Sequence, residues 1–212
     1  MGVALAFCTA SAVRADEVLI ANVLAERGAF SCLSPDEAEL FQDLNAYRVA
    51  RHMPAIRNSR SLNKVARIHA IDLSENHPEL GRDQRGLECN LHSWSNTGFW
   101  TPVCYTADHA YLVRMLSKPR EITNRLYADV GYENVYWTSA SEVFPYRVLN
   151  TWQKSPKHNA LILEEGKWQG SRWEALGVGI YRNVAVIWLG SMEDPAGPLP
   201  QCGATVGARK TP

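Results

Sequence analysis

Four cysteines constrain most strongly what this chain can fold into. Of the five in its 212 residues, Cys8 lies in an apolar start that reads as a leader, which leaves Cys32, Cys89, Cys104 and Cys202. An even set in an exported domain reads as two disulfides, and four thiols can pair in three ways. The favoured pairing joins Cys89 to Cys104, a short loop enclosing His92 and Trp94. Cys32 and Cys202 would then tie an N-terminal lead to the C-terminal tail, a closure worth ~4–5 kcal/mol in the chain-entropy account. Four reduced, buried cysteines in a cytosolic protein are the alternative, which the start of the chain disfavours.

That start carries a leader pattern over residues 1–15. Val3 to Ala12 is apolar and small, and Ala12-Val13-Arg14-Ala15 resembles a small-x-small cleavage site, so cleavage after Ala15 is expected. A positive n-region is missing and the apolar core is short; the rival reading is an apolar segment that stays attached. A lipoprotein cysteine at Cys8 is weak, because bulky Phe7 precedes it. Cleavage would remove one base, Arg14, and no acid, so the 22 Lys and Arg become 21 against 22 acidic residues. With charge balanced and no run of Lys or Arg, a nucleic-acid footprint is absent. No stretch approaches the run of about eighteen apolar residues that a transmembrane segment needs. The length suits one well-buried domain.

Within that domain several elements can be read. Ser34-Pro35-Asp36-Glu37 has the form of a helix start, with Ser34 as N-cap, proline in the first position and Glu37 closing a capping box. Phe41, Leu44 and Arg48 share a face, and the helix should stop before Pro54. A second helix spans about Ser61 to Glu75, where Leu62, Val65, Ala66, His69 and Leu73 recur at helical spacing. His69 on that stripe reads as a hydrogen-bonded core residue and is left out of the candidate site. Residues 81–106 read as a long ordered loop, residues 107–116 as a third helix ended by Lys118-Pro119. Leu176 to Tyr181 and Val184 to Leu189 form a hairpin about Arg182-Asn183. Gly177 and Gly179 on one strand face would admit a close backbone or ligand. The proline- and glycine-rich tail from 191 to 212 is expected to be irregular.

Four residues carry candidate chemistry: His92, Glu133, Glu142 and His158. Two imidazoles and two carboxylates are ligand types that divalent zinc accepts, and their spacing is too wide for a local motif. Tyr132 to Trp137 alternates as a strand with Glu133, Val135 and Trp137 on one face, so Glu133 points to a buried side and needs a partner. Ser139-x-x-Glu142 fits a capping box, but Pro145 would then fall inside the helix. If the helix instead starts near Phe144 or Pro145, Glu142 is a free side chain ahead of it and a candidate ligand. His158 sits in the first turn of a helix opened by Ser155-Pro156, where the dipole disfavours the imidazolium.

The stretches LNAYRVARHMPAI, SLNKVARIHAIDLSEN, NLHSWS, GYENV, SASEVF, TWQKSPKHNALIL and LGVGIYRNVAVIWLG resemble a CAP (SCP-like) domain. This is the superfamily of cysteine-rich secretory, antigen-five and pathogenesis-related proteins, and the likeness covers about residues 36–190. It implies an α+β fold, a three-layer α-β-α sandwich around a small, largely antiparallel sheet. It also implies a cleft with two histidines and two acids, carried onto His92, Glu133, Glu142 and His158, with a zinc-like divalent cation as the cofactor. SPKHNALIL stands where eukaryotic members carry GHYTQ, as in bacterial SCP-like proteins.

Two function classes follow. One is a secreted or periplasmic, monomeric, non-enzymatic module that binds a protein, lipid or sterol, with no nucleic-acid partner. The other is a metal-dependent hydrolase in which Glu133 or Glu142 acts as base. Against catalysis, the chain has no HExxH helix and no GxSxG elbow. Beside both stands a structural His/Glu hydrogen-bond network without metal.

Overall fold

In this computed structural model, residues 14–203 are described. The leader expected over residues 1–15 falls almost wholly outside them, and so does Cys8.

Helix α1 spans Ala15–Leu24 and buries Ile20 and Val23. The sequence pattern left this lead without an element, because its apolar residues form no clean helical stripe. After a 3-10 turn at Gly28–Ser31, α2 runs over Pro35–Ala50. Its start is the expected capping box: the Ser34 hydroxyl accepts from the Glu37 amide and the Glu37 carboxylate from the Ser34 amide. Strand β1 (Arg57–Asn58) leads into α3, Arg60–Asn76, which Ser59 caps by accepting from the Leu62 amide. Every residue of α3 from Leu73 back to Ser61 is buried except Lys64.

The next stretch departs from expectation. One helix over 107–116 is replaced by two short ones, α4 (Leu112–Leu116) and α5 (Lys118–Ile122). Residues 107–111 are turns, and Pro119 sits in the first turn of α5 rather than ending a helix, the place where a proline N–H is not missed. Strand β2 follows at Tyr132–Trp137, then α6 (Pro145–Lys154), α7 (Pro156–Leu163), β3 (Ala175–Tyr181) and β4 (Val184–Gly190).

The sheet runs in the order β1-β3-β4-β2, and only the β1–β3 pair is parallel. All of β4 is buried, and its side chains alternate between two cores. Val184, Val186 and Trp188 pack with α1, α3 and the 94–105 loop; Ala185, Ile187 and Leu189 pack with α2, α6 and α7. The molecule is therefore the α-β-α sandwich expected, an α+β fold with helices on both faces of one small sheet.

Glycines fix how closely α3 lies on that sheet. A Cβ at Gly177 would come 2.1 Å from the Leu62 carbonyl carbon, and one at Gly179 would come 2.3 Å from the Arg67 amide nitrogen. The close approach expected at this pair is that of the α3 backbone itself.

Both expected disulfides are present, Cys32–Cys202 and Cys89–Cys104. The first is reinforced by the Leu33 amide donating to Pro200 and the Cys202 amide donating to Leu33. No helix among the described residues is long and apolar enough to cross a membrane.

Candidate functional site

Strand β2 places Glu133 at the centre of the site. Its side chain leaves the sheet on the face covered by α3, as Val135 does, and is fully buried. A carboxylate in that position must be satisfied by charge-assisted hydrogen bonds. Two imidazoles do this: His69 Nδ1 meets one oxygen, and His92 Nδ1 lies 2.7 Å from the other.

The two histidines come from different elements. His69 stands on α3, wholly buried, with its ring stacked on Trp94 at 4.2 Å between centroids and 8° between planes. Its Nε2 lies 3.0 Å from the Ser93 carbonyl oxygen. An imidazole that bridges a carbonyl and a carboxylate fits the doubly protonated state, since a carbonyl can only accept. Burial opposes that charge, but the Glu133 carboxylate and its hydrogen bond outweigh it, so the His69 pKa is raised. The same balance holds for Glu133: burial favours the neutral acid, and the charge and hydrogen bonds of His69 and His92 overcome it and lower its pKa.

His92 comes from the loop between the bridged cysteines, its side chain 27% exposed. That loop is pinned to α3. Asp72 accepts from the Ser95 amide at 2.8 Å and from the Ser95 hydroxyl, and Trp94 pairs with Val103 as an isolated bridge. The Ser93 hydroxyl accepts from the Tyr105 amide at 2.9 Å, so Ser93 is a buried loop fastener with no nucleophile's geometry. Tyr105 packs edge-on against His92 at 5.7 Å. Burial and the nearby Glu133 charge raise the Tyr105 pKa.

His158 enters from the opposite layer, on the first turn of α7. Ser155 stands at the cap position as expected, but its hydroxyl is spent on His158 Nδ1 at 2.7 Å instead of on the helix backbone. The chain at His158 is also tied to the sheet, because Asn134 on β2 donates to its carbonyl at 3.2 Å. Burial, the His92 charge and Lys157 lower the His158 pKa, which keeps this imidazole neutral near neutral pH.

Glu142 takes no part in this hydrogen-bond network among the described residues. The helix after it starts at Pro145 with Phe144 in the cap position, so the Ser139 capping box does not form. Its carboxylate is exposed and makes no hydrogen bond or ion pair among the described residues. Of the four candidates, His92 and Glu133 hydrogen-bond to each other, the His92 charge acts on His158, and Glu142 makes no hydrogen bond to the other three among the described residues. Among the described residues no group of three or more His, Cys, Asp or Glu is arranged to hold a metal ion.

Sequence reasoning set His69 aside as a hydrogen-bonded core histidine. It is one, and its partner is the carboxylate at the heart of the site. Two signals taken together point to the pairing: a histidine on an apolar helical stripe and a carboxylate on a buried strand face, each needing a partner.

Residues 41–167 match the family described as the cysteine-rich secretory protein family. Among solved structures, a cysteine-rich secretory protein from Staphylococcus aureus is 11% identical over 74% of this chain and 39% of that one, with a TM-score of 0.45. An extracellular protein containing an SCP domain from Bacillus anthracis is 17% identical over 73% of this chain and 39% of its own, also at 0.45. An outer surface protein from Borrelia burgdorferi is 17% identical over 73% of this chain and 91% of its own, at 0.44. The chain thus spans about two fifths of the first two proteins. No curated protein sequence matches it.

Proposed function

The chain belongs to the CAP family of cysteine-rich secretory proteins, and from that premise we propose that it is an exported, non-enzymatic binding module. Its cleft holds a divalent cation weakly through His92 and His158. Export is supported by the two disulfides, which persist in oxidising compartments. A protein, lipid or sterol is the partner class that the family resemblance brings.

The observation that carries the reading is the use of Glu133. Each of its oxygens is engaged by an imidazole and its side chain is fully buried, so it is an orienter of histidines away from solvent water. Fixing Nδ1 of His92 leaves its Nε2 without a partner among the described residues, and Ser155 does the same for His158. A carboxylate behind a histidine is the arrangement that sets an imidazole for a metal. His92 and His158 would hold the zinc ion, and it would supply Lewis acidity there. Hydrolysis fits less well, because Glu133 is buried and bonded to two imidazoles, and Glu142 is exposed with no hydrogen bond to either candidate histidine among the described residues.

Zinc titration by calorimetry tests this on the oxidised protein. One weak site is expected, lost in His92→Ala and in His158→Ala and kept in Glu142→Ala. Binding that vanishes in Glu142→Ala, or that survives both histidine changes, would overturn the two-imidazole site.

A further inference from the structure

A second site candidate lies away from the histidines, on the α4–α5 side of the molecule. A cavity of about 430 Å³ opens there between the Cys89–Cys104 loop, at Thr101, and the two short helices. Three guanidinium groups line it: Arg114 on α4, Arg120 on α5 and Arg125 in the turn that follows. None of the three makes a side-chain hydrogen bond or an ion pair among the described residues, whereas Arg48, Arg60, Arg67, Arg82 and Arg85 all have carboxylate partners.

One acid lines the cavity, and its charge is already committed. Glu121 takes Lys118 Nζ at 2.6 Å on one oxygen and the Thr101 amide on the other. Lys118 is buried, so this pair is a fixed part of the wall. The cavity therefore holds three positive charges with no counter-charge. Burial and the hydrogen bonds of Lys118 and Thr101 act in opposite senses on Glu121, and the bonds prevail, lowering its pKa and keeping it ionised with its partner.

The backbone brings two of the arginines together. Asn124 and Arg125 are consecutive non-glycine residues in the left-handed region, at φ 49° and 66°. That turn folds the chain back so that the Arg125 amide donates to the Arg120 carbonyl at 2.7 Å. Non-glycine residues in this region carry a cost that the surrounding structure must offset. Here the turn brings the backbones of Arg120 and Arg125 together, and both residues line the cavity with Arg114.

We propose that this cavity binds a phosphate group, as free phosphate, a phosphomonoester or the headgroup of an anionic lipid. Guanidinium presents forked donors that match tetrahedral oxyanions bidentately, and several around one anion give both charge and orientation. The Thr101 and Ser117 hydroxyls in the wall add neutral donors. Exposed Leu112, Val113 and Leu126 stand on the same segment, where they would meet the acyl region if the phosphate belonged to a lipid.

The test measures inorganic phosphate binding by NMR on the arginine Nε–Hε signals, and binding to phosphatidylcholine vesicles with and without phosphatidic acid. The variants are Arg120→Gln/Arg125→Gln and, as a control at exposed positions elsewhere, Arg27→Gln/Arg51→Gln. Phosphate is expected to shift the signals of Arg114, Arg120 and Arg125, with affinity falling about tenfold per arginine removed and unchanged in the control. Binding to acidic vesicles alone, lost in the first variant and kept in the control, supports the headgroup form of the proposal. No binding in either arm, or binding reduced equally by the control, would overturn it. Circular dichroism of both variants guards against reading misfolding as lost affinity, and Arg114→Gln, made separately, must weaken binding as well.

Discussion

At the scale of single residues the site is a carboxylate held between two imidazoles. A fully buried Glu133 without partners would cost several kcal/mol, and an ion pair that loses one member leaves that cost exposed. Glu133→Ala should therefore lower stability by about 3 kcal/mol or more in urea unfolding at neutral pH, because His69 is orphaned in a packed interior. The pH dependence follows from the two shifts. Glu133 has a lowered pKa, so its contribution is present above the ordinary carboxylate value and lost as pH falls through its folded value. His69 has a raised pKa, so its contribution is present below the ordinary histidine value and lost as pH rises through its folded value. The native protein should thus weaken on both flanks, and Glu133→Ala should flatten both; unchanged flanks in unfolding curves against pH would contradict the pairing.

At the scale of elements, the placement of the site depends on how α3 lies on the sheet. Helix α3 carries His69 and Asp72, one reaching the strand and the other the disulfide-bracketed loop. It can do so because Gly177 and Gly179 let its backbone rest against β3. A methyl at either position meets backbone, which cannot swing aside as a flexible side chain would. Gly179→Ala should cost about 1–3 kcal/mol in denaturant unfolding, the range for overpacking a close-packed contact. Cation binding should weaken with it, because lifting α3 moves His69, and the loop that Asp72 ties to α3, away from Glu133 on β2. A variant as stable as the native protein would show that the contact is looser than described.

Several of these elements are plain in the sequence because their signals are local. The capping box at Ser34, the α3 stripe and the hairpin about Arg182-Asn183 each depend on residues a few positions apart. Helix α1 and the split of α4 from α5 are not legible, since neither has a clean apolar period and Pro119 reads equally as a stop or a start. At Glu142 the sequence is legible in part: Pro145 rules out the Ser139 capping box, as the helix start at Pro145 shows, while the direction of a free side chain ahead of a helix has no local signal. The Glu133–His69 pair joins residues 64 positions apart, which no local pattern specifies.

At the scale of the whole molecule, all three layers converge on one strand. Glu133 on β2 faces α3 and the bridged loop, while Asn134, next along the strand, ties the His158 turn on the other side. The Cys32–Cys202 bridge, with a sequence separation of 170, ties the segment before α2 to the segment after β4. The central claim is that Glu133 is ionised and holds a protonated His69 behind His92. An NMR titration of the His69 imidazole, in the native protein and in Glu133→Gln, tests this most directly. The account predicts a midpoint above the ordinary histidine value of about 6.5 in the native protein, and one moved down in the variant, where burial is no longer offset. The same midpoint in both proteins would contradict it.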